Sequence, residues 1–301
     1  MWQTLLHELK QGNYKSLARS ISLVENEVSG YEEFLQSLPA SHTPVIGITG
    51  PPGAGKSTMV DSLIGLLTEA GKKVAVLCVD PSSPFNLGAL LGDRIRMSNW
   101  YNHPNVFIRS LATRGSLGGL HPKIMEITDV CTNAGFDYVI VETVGVGQSE
   151  IEVSGLADIT VVVLVPEAGD EVQTMKAGLM EIADIFAVNK ADRPDADLFV
   201  RNLRLMLAPA YATTHREIPV VKTIATQKQG TKDLWLAIDD LIHQHHTNER
   251  KSWLLAERGY FLIQQQRMKD IQKKELKKLI EQKISEGNFN LYRFVKQFNK
   301  D

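Results

Sequence analysis

The sequence predicts an α/β chain: a doubly wound domain on a mostly parallel sheet, with N-terminal and C-terminal helical extensions. Three observations carry that reading. Between Val45 and about His246, short runs rich in β-branched residues alternate with helical segments. Those runs are apolar on both faces, as expected of strands covered by helices on either side. The flanking regions are helical in texture, which divides the chain into an N-terminal extension (1–40), a central domain (41–248) and a C-terminal arm (249–301).

Taken in order, residues 1 to about 40 show helical apolar spacing at Leu17, Ile21, Val24 and Val28 and end at Pro39. The strands then read VIGIT (45–49), VAVLCV (74–79), VFIRSL (106–111), YVIVE (138–142), ITVVVLV (159–165), IFAVN (185–189) and PVVKTIA (219–225). A helical pattern from Thr58 to about Ala70 follows the first of them. From Glu249 onward 13 Lys/Arg stand against 7 Asp/Glu, and QKKELKKLIEQKISEG carries apolar residues at Leu276, Ile280 and Ile284. A solvated helix with one packed stripe fits this texture. An arm docking on a partner or a second subunit fits it better, because a basic helix outside the main core still has that stripe to bury.

With 301 residues, 43% of them hydrophobic, the chain can bury a large core. Its net charge of −2 argues against a nucleic-acid binder working through overall charge. Cys78 sits in an apolar strand and Cys131 in a helical stretch, so both read as buried thiols, and no CxxC pair suggests a zinc site. The start MWQTLLHELKQGNYK lacks a basic region followed by a long apolar run, and the apolar run Ile159 to Val165 is too short to span a bilayer. The expectation is a cytoplasmic protein with neither a nucleic-acid nor a membrane partner.

The chemistry starts at Gly50-Pro-Pro52-Gly53-Ala54-Gly55-Lys56-Ser57-Thr58, a full GxxxxGK[ST] pattern between a strand and a helix. Its glycines let backbone N–H groups curl round phosphates, and the helix N-terminus adds partial positive charge. Lys56 should reach the β- and γ-phosphates, and the Ser57 hydroxyl should ligate Mg²⁺. Asn189-Lys190-Ala191-Asp192, an NKxD at a strand end, supplies a carboxylate that can accept from guanine N1–H and N2–H₂. Adenine has no such donor pair, so the nucleotide reads as GTP or GDP. Ala225-Thr226 stands where a backbone N–H could meet the guanine oxygen.

VETVGVGQSE looks at first like a dinucleotide turn, but its glycine triplet is incomplete and a phosphate site already lies earlier in the chain. Glu142-Thr-Val-Gly145 instead has the DxxG spacing of a γ-phosphate switch with the acid one methylene longer, Gly145 and Gly147 giving the loop mobility. Asp80, ending its strand, is suited to the Mg²⁺ shell. Asp93 could position water or contact metal, and an exposed helical aspartate fits it equally. Arg94, Arg109 and Arg114 could neutralise phosphate charge or be surface arginines. His243-Gln-His245-His246 reads as a solvated face rather than a nickel site.

Together GPPGAGKST, DPSSPFNLGALLGDRIRM, SLATRGSLGGL, VETVGVGQSE, GDEVQTMKAGLMEIADIFAVNKAD and QGNYKSLARSISLVENE resemble the MeaB/ArgK family of P-loop GTPases over roughly residues 11 to 255. The resemblance implies a GTPase chaperone of an adenosylcobalamin-dependent acyl-CoA mutase. It also implies catalytic roles for Lys56, Asp93, Glu142 and Gly145, with Asp80, Asp93 and Glu142 around Mg²⁺ and the hydrolytic water. Gly147 and Gln148, with Asp170, Gln173 and Lys176 of GDEVQTMK, would respond to the partner. Thr174-Met175 departs from the more usual Gly-Ile of that segment. The family's terminal helical extensions commonly form a homodimer.

Overall fold

A computed structural model describes residues 1–80, 97–113, 120–145, 149–166, 178–214, 217–244, 249–287 and 289–298. They divide into two compact units, Met1–Ser252 and Trp253–Asp301. Among the described residues the first unit is built on a seven-stranded sheet of order β3-β2-β4-β1-β5-β6-β7. The strands are β1 (Val45–Thr49), β2 (Val74–Asp80), β3 (Val106–Ala112), β4 (Tyr138–Glu142), β5 (Ile159–Leu164), β6 (Ile185–Val188) and β7 (Val220–Lys222). Every pairing is parallel. The doubly wound class expected from the sequence is therefore the one observed.

Alternation along the strands explains why both faces are apolar. Val161 and Val163 face one way and join Met59, Leu63 and Ile64 of α4 (Lys56–Glu69) and Leu234 and Ile238 of the helix Thr231–His243. Val162 and Leu164 face the other way, onto Ile182 and onto Val200 and Leu203 of the helix Ala196–Thr214. A two-residue period in a fully buried strand feeds two cores at once. From β1 the chain runs out to β2 and β3, returns to place β4 between β2 and β1, and then crosses to β5, β6 and β7 on the other side. Such a reversal at β1 is where an open α/β sheet leaves a crevice outside its carboxyl ends.

The first forty residues form three helices rather than one periodic stretch. α1 (Trp2–Lys10) ends before Gly12, and α2 (Tyr14–Glu25) is capped by Asn13, whose side chain accepts from Lys15 N at 3.0 Å and Ser16 N at 3.2 Å. α3 (Tyr31–Gln36) starts after Gly30, where the Trp2 indole lies so close that no Cβ would fit. Leu17, Ile21 and Val24 are fully buried, while Val28 falls between helices and is half-buried. α2 packs on α5 (Ile124–Thr132).

The second unit comprises the rest of the helix Glu249–Arg267, the helices Lys273–Ser285 and Leu291–Val295, and a short turn ending at Phe298. Lys273–Ser285 buries none of its residues; Leu276 and Ile280 are half-buried and Ile284 is exposed. Among the described residues no helix is long and apolar enough to cross a membrane.

Both cysteines are buried and neither is in a disulfide, and burial pushes the Cys131 thiol up to about 12. The reactive thiolate is thus suppressed in the folded state. At about pH 8 a disulfide reagent should modify neither Cys78 nor Cys131 in the native protein and both in denaturant; a fast-reacting native thiol would contradict this packing.

Candidate functional site

The crevice is lined from the backbone outward. β1 delivers the chain into residues 50–55, and α4 begins at Lys56. Gly55 has φ +93°, and its α-carbon lies so close to the Asn189 amide that a Cβ would collide with it. Lys56 is buried, its Nζ donating to Gly50 O at 2.9 Å and Pro51 O at 3.1 Å. Gly145, with φ +86°, sits against Gly50 O and Lys56 Nζ, leaving no room for a side chain. Pro52 and Gly53 are exposed at the loop's tip, Ala54 is buried and Thr58 is half-buried.

Three hard oxygen donors converge beside this loop. Ser57 Oγ donates to Glu142 Oε1 at 2.6 Å, and both residues are buried. β2 and β4 are neighbours with Cys78 opposite Glu142, so Asp80 stands one pleat further along the same face. Asp80 is buried too. A hydroxyl with two carboxylates is a donor set that suits a hard cation such as Mg²⁺, which is bound through one or two carboxylates and leaves its other positions to phosphates and water.

The far wall comes from β6 and the turn after β7. Asn189 Nδ2 donates to Ala54 O at 2.9 Å, and its Oδ1 accepts from Ala225 N at 3.0 Å and Thr223 Oγ at 3.3 Å. Lys190 adopts a left-handed φ of 57° and donates through Nζ to Gly53 O at 2.8 Å. Asp192 is exposed in the following turn. β7 stops at Lys222, short of the expected Ala225, because the Ala225 N–H is committed to Asn189 and the chain turns into a 3₁₀ segment, Ala225–Gln227. Of the pair Ala225-Thr226, Thr226 is the exposed member.

Arg109 is not at this site: its guanidinium donates to Glu25 Oε2 at 3.0 Å and Ser22 Oγ at 3.1 Å on α2. His243 is exposed at a helix end, 2.7 Å from Asp239 O. Asp93, Arg94, Arg114, Gly147, Gln148, Asp170, Gln173, Lys176, His245 and His246 lie outside the described residues. Motif reading passed over Thr49 and Thr143, whose hydroxyls meet at the adjoining ends of β1 and β4; the available signal was a threonine at each of two adjacent strand ends.

A glycine-rich turn from the central strand into a helix, a lysine and serine at that helix's first positions, and an NKxD across the crevice define the P-loop GTPase class. Similarity to known proteins narrows this. The sequence model of the family described as methylmalonyl Co-A mutase-associated GTPase MeaB matches residues 17–288. The chain belongs to the MeaB family. A Pyrococcus abyssi protein named as a GTPase is 43% identical over 96% of this chain and 89% of its own length. The Escherichia coli GTPase ArgK is 38% identical over 78% of this chain and 74% of its own. A crystal structure of a protein named LAO/AO transport system kinase covers 99% of this chain and 96% of that one, with TM-score 0.68 and 26% identity.

Replacing Asn189 by alanine leaves the Ala54 carbonyl and the Ala225 N–H unpaired in the interior, each at a cost of about 1–3 kcal/mol. Asn189→Ala should lower unfolding stability by roughly 2 kcal/mol or more, read as a shift of the urea midpoint. An unchanged midpoint would remove Asn189 from its structural role.

Proposed function

We propose that this chain is a GTP-hydrolysing chaperone of an adenosylcobalamin-dependent acyl-CoA mutase of the methylmalonyl-CoA mutase type, coupling hydrolysis to cofactor loading, protection or reactivation of that enzyme. The single observation that carries the partner is the family's description as methylmalonyl Co-A mutase-associated, matched from residue 17 to residue 288. A mouse relative named methylmalonic aciduria type A homolog, 34% identical over 78% of this chain, supports the same reading.

In this mechanism water attacks the γ-phosphoryl group in line, releasing GDP and phosphate. Lys56 turns from the loop carbonyls to the β- and γ-oxygens, and the N–H groups at the start of α4 add their partial charge. Gly145, seated on Lys56, offers its N–H to the same γ-phosphate. Ser57, Glu142 and Asp80 would hold Mg²⁺, which when bound would neutralise phosphate charge. With its proton given to Glu142, Ser57 Oγ keeps its lone pairs for that ion. Asp192 reads the guanine edge, and the base oxygen is met by the Thr226 N–H, since that of Ala225 is already used. Asp93 serves the water or the metal. Gly147, Gln148, Asp170, Gln173 and Lys176 respond to the partner, which accelerates slow intrinsic turnover.

The 249–301 region is assigned to a homodimer contact. In the second unit Trp253, Tyr260 and Tyr292 are 73%, 71% and 85% exposed, more apolar surface than a solvated helix needs.

Likeness over nearly the whole chain to the protein named as a transport system kinase favours a second reading, a kinase or ATPase serving amino-acid transport. Nucleotide selectivity separates the two. Asp192→Ala should weaken GTP binding about a hundredfold and leave ATP binding unaltered in calorimetric titration. A wild-type preference for ATP would favour the kinase. For the partner, GTP-loaded and GDP-loaded protein should recover a cobalamin mutase from native-host extract to different extents. Equal recovery of none would leave a GTPase without this partner.

A further inference from the structure

Thr49 and Thr143 are spacers in the motifs, yet both side chains are buried, at 0% and 2% exposure. The paired register of β1 and β4 ends at Ile48 opposite Glu142, so the two threonines face each other one position beyond the paired strands. Their hydroxyl oxygens lie 2.8 Å apart. Thr143 N also donates to Ile48 O at 3.0 Å, and two residues on Gly145 rests against Gly50 O and Lys56 Nζ. A backbone bond, a hydroxyl pair and a glycine contact thus run in sequence along one seam. On one side of the seam is the P-loop; on the other is the loop opened by Glu142.

Packing alone does not call for hydroxyls here. Valine has the same shape and suits a strand end as well. A buried hydroxyl costs stability unless its hydrogen bond is made, whereas replacing both partners by apolar groups can be close to neutral. Two threonines facing each other at this point therefore add something other than burial. They fix the distance between the residue before Gly50 and the residue after Glu142.

We propose that the Thr49–Thr143 pair positions the γ-phosphate chemistry, holding Glu142 on Ser57 and Gly145 on Lys56 so that the two loops respond as one body; this rests on the GTPase reading above. Both residues are positioning residues, acting through Glu142 and Gly145.

The test is a double-mutant cycle in the full chain with Thr49→Val, Thr143→Val and the pair, measuring kcat and KM for GTP, affinity for GDP, and urea stability. Each single variant should lose roughly tenfold in kcat with GDP affinity held within about twofold. The double variant should lose no more than the worse single, since one interaction is removed in all three. Thr143→Ser, which keeps the hydroxyl, should restore kcat.

Unchanged kcat would overturn the proposal. So would losses that multiply in the double variant, or a fall in GDP affinity equal to the fall in kcat. If the wild type binds GTP without hydrolysing it, the GTPase reading fails. The pair is then judged by the preference for GTP over GDP, which both valine variants should erode if the seam senses the γ-phosphate and leave intact if it does not.

Discussion

One side chain ties the crevice together. Asn189 gives its amide protons to the P-loop and its carbonyl oxygen to the chain leaving β7. These partners come from segments 135 and 36 residues away in sequence. A buried amide with both ends satisfied is rigid because any displacement leaves polar groups unpaired in a low-dielectric interior. The P-loop and the turn after β7, proposed above to receive phosphates and base, are therefore set at a fixed distance. Lys190, forced to a left-handed φ beside it, adds a second tie to Gly53.

The site departs from the rules the rest of the domain obeys. The strands bury valine, isoleucine and leucine on both faces, whereas their carboxyl ends bury Lys56, Ser57, Asp80 and Glu142. Burying those groups costs desolvation, and the cost is tolerable only where hydrogen bonds or a ligand's charges answer them. The strand-order reversal at β1 supplies the place, since open α/β sheets take ligands outside the carboxyl ends at such a point, clear of the apolar layers. Function and fold are separated along β1, β2 and β4, whose polar ends Thr49, Asp80 and Glu142 follow apolar runs.

This separation decides what could be read from sequence. The seven strands were legible because a doubly buried strand must be a continuous apolar run. The P-loop and NKxD were legible because their chemistry is local in sequence. The end of β7 was not, since Ala225 leaves the strand for a side chain 36 residues earlier. Arg109 was ambiguous for the same reason: its partner Glu25 is 84 residues away on a helix that packs across the sheet edge. The single helical texture before residue 40 hid three helices, although Gly12-Asn13 and Gly30 marked the breaks. Thr49 and Thr143 escaped because threonine at a strand end is ordinary until the strand order makes two of them neighbours.

The glutamate at position 142 can be argued on reach. Many GTPases place an aspartate at this point of the loop, close to the metal. Here the carboxylate lies 2.6 Å from Ser57 Oγ on the opposite element. An aspartate is shorter by one C–C bond, about 1.5 Å, and with the backbone fixed it would stop beyond hydrogen-bonding distance of that hydroxyl. The backbone is not free to follow, since Thr143 is bonded to Ile48 and Gly145 is pressed against Gly50 and Lys56. The extra methylene therefore spans a gap that the seam holds open, and the Ser57 hydroxyl of α4 is oriented by a side chain anchored at the end of β4.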